Sequence, residues 1–164
     1  RIVMKQYHLH NRPNRELTKK SDIDRILNKG KFAVISMCRE NEPYIVTLSY
    51  GYDSENETLY FHCAKKGLKL DFLNSNKNVC ATVVEDKGYV MDECGHEYKS
   101  VVFWGDMQIV NDLHEKKHGM SILLHHLEEK ESVIKEKHLK SDDYYSKMEI
   151  LRLKVRQIHG KAGR

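Results

Sequence analysis

Strand-like runs, each closed off by a polar turn, recur along this chain at residues 32–38, 44–52, 59–63, 79–84, 98–110 and 151–155. Many short strands bury their apolar faces only by pairing into a curved sheet. Few stretches interrupt them with helical periodicity. The pattern predicts a mainly β protein, a small antiparallel barrel with flanking α-helices.

The run at 44–52 has the sharpest pattern. Tyr44, Val46, Leu48, Tyr50 and Tyr52 fall on one face, and Ile45, Thr47, Ser49 and Gly51 on the other. Side chains alternate across a strand, so one face is bulky and the other small or polar. Two readings fit: a half-exposed strand, or a small face that leaves room for a flat ligand whose polar edge bonds to backbone and Thr47. The last strand alternates as well, with Leu151, Leu153 and Val155 inward and Arg152, Lys154 and Arg156 outward. Residues 98–110 read as one long strand bent at Gly105.

Residues 1–20 form an arm with little periodicity ahead of a single domain over 21–164. Ser21-Asp22 is placed to cap a helix through Ile23, Ile26 and Leu27 that ends near Gly30. Leu68, Phe72 and Leu73 give a second helix its apolar side. Residues 85–97 read as a polar connection. Asn111 or Asp112 opens the main helix, whose stripe is Leu113, Met120, Leu124 and Leu127. Residues 128–141 read as a charged helix plus loop.

The 164 residues suffice for one real core. Their 28 basic and 24 acidic side chains are interspersed, so the net charge of +4 describes a solvated surface rather than a nucleic-acid interface. No apolar run approaches the roughly 20 residues needed to cross a bilayer, and the opening residues show no signal-peptide pattern. Cys38, Cys63, Cys80 and Cys94 lack metal-finger spacing, as expected of a reduced, cytoplasmic protein.

Chemistry concentrates at residues 60–71, Tyr-Phe-His-Cys-Ala-Lys-Lys-Gly-Leu-Lys-Leu-Asp. A strand passes through two lysines and a glycine into a helix start. Ammonium groups oppose the charge of a phosphate monoester, glycine lets backbone approach it, and the unpartnered N–H groups of the helix complete a cradle. A solvated basic turn has the same sequence.

In order along the chain, residues 43–52, 59–64, Gly67 with Lys69, residues 98–105 and residues 158–162 closely resemble the pyridoxamine 5'-phosphate oxidase-like, FMN-binding split-barrel family. The nearest branch is the nitroimidazole-resistance group. The resemblance runs from about Ile23 to the C-terminus. It implies a split barrel that binds FMN and assembles as a homodimer with flavin at the interface, acting on a small-molecule substrate. It places Ile45, Val46, Thr47, Phe61, His62, Lys66, Gly67, Lys69, Ser100 and Val102 at the cofactor, with Lys65 able to assist. His62 would border the reactive ring as the catalytic candidate, since an imidazole can donate a proton near neutral pH. A barrel histidine satisfied by hydrogen bonds is the other reading of His62. The tail from Arg156 to Lys161 lacks the arginine- and histidine-bearing segment of true pyridoxamine phosphate oxidases, which argues against vitamin-B6 chemistry.

The implied function is that of an FMN-dependent oxidoreductase, with nitroaromatic or related small molecules as acceptors. The alternative is a flavin or haem carrier without turnover on the same barrel, and a deazaflavin reductase is a third option. His114-Glu115-Lys116-Lys117-His118 matches H-E-x-x-H literally. Lysine at both middle positions and the lack of a third ligand make a zinc hydrolase the least favoured reading. Cys94-Gly95-His96 offers two metal ligands without partners. His8, His10, His125 and His126 are expected to face solvent.

Overall fold

A single residue, Tyr50, joins β3 (Glu42–Ser49) to β4 (Gly51–Asp53), yet these strands stand at opposite ends of the sheet. The sheet must therefore curl until its ends meet. The computed structural model describes residues 12–163. Its other strands are β1 (Glu16–Leu17), β2 (Phe32–Arg39), β5 (Thr58–Ala64), β6 (Asn78–Val90), β7 (Gly95–Val110) and β8 (Met148–Gly163). The order is β3-β2-β6-β7-β8-β5-β4, every pairing is antiparallel, and β1 joins β8. The expected split barrel is present.

Inside it lie Ala33, Ile35, Met37, Leu59, Phe61, Val101, Phe103, Met107, Leu151 and Leu153, all essentially without solvent contact. Helix α1 (Lys20–Lys29) contributes Ile26 and Leu27 to the same core. Each such side chain is worth about 1.5–3 kcal/mol of burial. That burial anchors the C-terminal half of α1. Lys19 is the N-cap and makes no side-chain cap bond, so the predicted Ser21-Asp22 cap is not used. Tyr50 is fully buried, and its hydroxyl donates to the Leu27 carbonyl at 2.6 Å, tying the β3–β4 junction to the end of α1.

A second apolar cluster lies outside the barrel, where α3 (Leu113–Leu127) covers Tyr60, Val110 and Ile150. Asp112 caps α3 as expected, accepting from the Glu115 N–H at 2.8 Å. Met120, Leu123 and Leu124 form its buried face, while Leu113 is exposed. A Cβ on Gly51 would stand 2.6–2.7 Å from backbone atoms of Ile122 and Leu123. The small face at Gly51 therefore admits α3, not a flat ligand. Helices α2 (Leu68–Ser75), α4 (Glu131–His138) and α5 (Asp143–Ser146) complete the chain, α5 beyond the predicted loop.

Two further differences from the sequence reading matter. Residues 85–97 are not a loose connection, because β6 and β7 continue as a hairpin to the Val90–Gly95 pair, with a register shift between Asp86 and Gly88. Within the predicted arm, Glu16 and Leu17 pair with Lys161 and Gly160, so that part is tied to the sheet. His8, His10 and the rest of the arm's first eleven residues lie outside the described residues. The bend at Gly105 is present as a bulge: Trp104 pairs with Gln157 and Gly105 with Val155, leaving Arg156 extra. The bulge ends the simple alternation of β8, so Gln157 and His159 share the outward face with Arg152 and Lys154. Among the described residues no helix is long and apolar enough to cross a membrane.

Candidate functional site

The β4–β5 register sets Gly51 against Tyr60. Carried back along β3, it sets Ser49 towards His62 and Thr47 towards Ala64. All four are exposed, as is Ile45. The seam where the sheet closes thus presents the small face of β3 beside His62, at the end of β5 that runs into the basic turn. Tyr44 and Phe72 hold the adjoining corner, with ring centroids 5.1 Å apart, and the Arg39 guanidinium lies 4.5 Å from the Phe72 centroid.

Beyond β5, Gly67 has φ 150° and ψ 162°, a conformation essentially reserved for glycine, and it is the N-cap of α2. It supplies no side-chain cap. Its carbonyl accepts from the Leu70 and Asp71 N–H groups at 3.0 and 3.3 Å, which leaves the Leu68 and Lys69 N–H groups without intrahelical partners. No atom would lie within 4 Å of a Cβ at Gly67, so the approach to these groups is open. Lys65 and Lys66 are exposed, Lys69 is half-buried, and none of the three forms an ion pair among the described residues. Asp71, in the same first turn, opposes them. Burial raises the Cys63 thiol pKa, with the Lys69 charge acting against that shift. The donor set fits a phosphate monoester: ammonium groups without ion pairs among the described residues, adjoining in sequence N–H groups that lack intrahelical partners, on an open backbone.

The ten predicted cofactor residues fall into three groups. Ile45, Thr47, His62, Lys66, Gly67 and Lys69 belong to the seam and its turn. Ser100 and Val102 are outward on β7, reached from Thr47 through the row Val34, Thr82, Val102. Three strand spacings make that about 14 Å, so one chain does not bring the β7 pair to the seam. Val46 packs against the core, and Phe61 has 0% exposure. Alternation along the strand turns both side chains inward, leaving only their backbone groups for a ligand.

The literal H-E-x-x-H is committed elsewhere. Glu115 accepts from Arg152 at 2.6 Å and from the Tyr60 hydroxyl at 3.4 Å, and His118 lies 3.4 Å from Asp53. Burial, with the Glu115 charge adding to it, pushes the Tyr60 phenol up to about 12. His96 is 2.6 Å from Asp86. No group of three metal-binding side chains occurs among the described residues. His126 is half-buried rather than solvent-facing: its Nε2 lies 2.6 Å from the Gly30 carbonyl, and its ring is 4.9 Å from that of Tyr50.

Sequence reasoning missed several outward residues. Ser49 falls opposite His62 when the β4–β5 register is extended along β3. Trp104 and His159 make an edge-to-face contact at 6.1 Å on the face of Val102, and Gln157 adjoins His159 at 2.5 Å. Gly105 was the one signal of the bulge that brings Gln157 and His159 outward.

Residues 19–162 match the family model described as pyridoxamine 5'-phosphate oxidase. A Bacteroides thetaiotaomicron structure provisionally assigned to 5-nitroimidazole antibiotic resistance superposes with TM-score 0.77 and 25% identity, covering 90% of this chain and 86% of that one. A FAD-binding protein from Mesorhizobium loti gives 0.66 and 20%, covering 92% and 98%. A FAD and haem binding protein from Mycobacterium smegmatis gives 0.73 and 13%, covering 92% and 74%. An uncharacterized protein from Rhizobium meliloti is 29% identical over 102 residues, 60% of this chain, and the match spans 62% of that relative's length. With the family match over nearly the whole chain, and a barrel that superposes on these structures, the chain belongs to the pyridoxamine 5'-phosphate oxidase family.

Proposed function

We propose that the protein binds FMN at the seam and works as a flavin-dependent oxidoreductase on small aromatic acceptors. The observation that carries this is the α2 start, where Lys65, Lys66 and Lys69, which form no ion pair among the described residues, flank or carry N–H groups without intrahelical partners beside an open Gly67. Lys66, Lys69 and those N–H groups would hold the phosphate. The exposed small face of β3 would lie along the ring, with Thr47 offering a hydroxyl to its polar edge. Bound flavin would accept electrons from a donor and pass them to an acceptor. His62, exposed at the seam, would hold or deliver the accompanying proton. Similarity to a structure provisionally assigned to 5-nitroimidazole antibiotic resistance supports nitroaromatic acceptors for this chain.

A second copy completes the site in this reading. Phe32, Ile45 and Val84 are 58%, 62% and 55% exposed on one outward sheet face, a patch of the kind that marks an interface. A two-fold partner seated there would bring its own β7, with Ser100 and Val102, towards the seam that one chain leaves open.

The test is reconstitution of the purified protein with flavin, anaerobic reduction, and reoxidation by a panel of nitroaromatic compounds. Visible flavin absorbance with acceptor-dependent reoxidation supports the proposal. Retained flavin that no acceptor reoxidises would reduce the protein to a carrier, and failure to retain flavin would overturn it. His62→Gln should keep flavin and slow reoxidation.

A further inference from the structure

The pairing of β5 with β8 ends at Thr58 and Lys154, and that of β1 begins at Leu17 and Gly160. Between them, over residues 155–159, β8 has no strand on that side among the described residues. One contact marks the border, the Val155 N–H donating to the Glu57 carbonyl at 3.1 Å. A cavity of about 260 Å³ fills this gap beneath α1. That is just below the ~300–1,000 Å³ of typical small-molecule sites.

Its walls are apolar: Ile23, Leu27, Val155, Ile158 and the Tyr52 ring. Its polar groups lie near the mouth. The Tyr52 hydroxyl donates to Asp24 Oδ1 at 2.7 Å, and Lys20 donates to Asp24 Oδ2 at 2.6 Å. The hydrogen bond to Asp24 holds the Lys20 pKa above its ordinary value, and the Glu57 charge adds to it. Asp24 is thus matched by Lys20, whereas Glu57 has no ion pair among the described residues. One positive and two negative charges leave the mouth with a net charge of −1. Glu57 also has φ 48°, a left-handed conformation that glycine or asparagine fills at lower cost. The open edge of β8 borders the cavity through Val155 and Ile158.

We propose that this gap is a binding site for a small amphipathic amine, an aromatic or branched apolar body carrying one ammonium group. The body would fill the space between Ile23, Leu27 and Val155, and the ammonium would meet Glu57 at the mouth. The site is separate from the seam and does not rest on the flavin reading.

The test titrates the full chain with 2-phenylethylamine, 2-phenylethanol and phenylacetate, following the methyl resonances of Ile23, Leu27 and Val155. The amine should bind about threefold to fivefold more tightly than the alcohol, the scale of a partly exposed ion pair, and phenylacetate should bind least. Glu57→Gln should erase the preference for the amine. Thr18→Trp, at an exposed rim position, should block all three probes while leaving thermal stability unchanged. Equal binding of amine and alcohol, no response at roughly millimolar amine, or unaltered binding in Thr18→Trp would each overturn the proposal. Flavin titration of the same samples should not change with either substitution, which separates this site from the seam.

Discussion

Gly67→Ala isolates a backbone effect at the start of α2. A Cβ there meets nothing within 4 Å, so the substitution creates no clash. Its whole cost comes from holding alanine at φ 150°, a region essentially closed to residues with a Cβ. Such strain costs on the order of 1–3 kcal/mol. At roughly 2–4 °C per kcal/mol for a chain of this size, the midpoint of thermal unfolding should fall by about 2–12 °C. If the turn relaxes instead, stability recovers, but the Leu68 and Lys69 N–H groups lose their aim. Binding of FMN should then weaken while riboflavin, which has no phosphate, is untouched. Thermal unfolding without ligand, followed by FMN and riboflavin titration, distinguishes the two outcomes. Unchanged stability together with unchanged FMN affinity would refute both the strain argument and the cradle.

Three further substitutions probe other parts of the account. Lys69→Ala should weaken FMN by about 1.5–3 kcal/mol, the scale of a hydrogen bond to a charged group, and leave riboflavin unchanged; equal losses measured by fluorescence titration would mean that Lys69 acts through folding. Gly51→Ala should destabilise by about 1–3 kcal/mol in urea, because its Cβ would meet the α3 backbone at 2.6–2.7 Å and the helix must shift; wild-type stability would contradict that packing. Burial lowers the His126 pKa below its ordinary 6.5, with Lys31 and His125 acting in the same direction and the Gly30 hydrogen bond opposing them. The unfolded chain then binds the extra proton first, so stability should fall as pH drops below about 6.5 towards the folded pKa. His126→Gln should flatten that slope in denaturant titrations.

How far the sequence revealed this molecule depended on what each segment buries. The faces of residues 44–48 and 151–153 were legible because core burial imposes a period of two. Ile23, Ile26 and Leu27 marked α1 because burying one face of a helix imposes a period of 3.6. The hairpin beyond Val84 was not legible: backbone pairing holds it while Tyr89 and Met91 remain exposed, so no apolar alternation records it. Arg156 carried no sign that it is the extra residue of a bulge, so the faces of Gln157 and His159 beyond it could not be assigned. Gly51 showed that something must come close but not that the something is α3. At the seam, the residue types of the Lys-Lys-Gly turn were readable, whereas the approach of β3 to β5 depends on a closure that only the three-dimensional sheet supplies. Phe61 shows the limit of motif transfer, since a matching position can leave its side chain in the core.

The most direct measurement of the central claim is the affinity of the purified protein for FMN, riboflavin and FAD under one set of conditions, by quenching of flavin fluorescence. FMN should bind most tightly, with riboflavin weaker by roughly tenfold or more because it forfeits the phosphate contacts of the α2 start. FAD should also bind less well, since the compact lysine cradle is matched to one terminal phosphate. Equal affinity for FMN and riboflavin, or a clear preference for FAD, would contradict that claim.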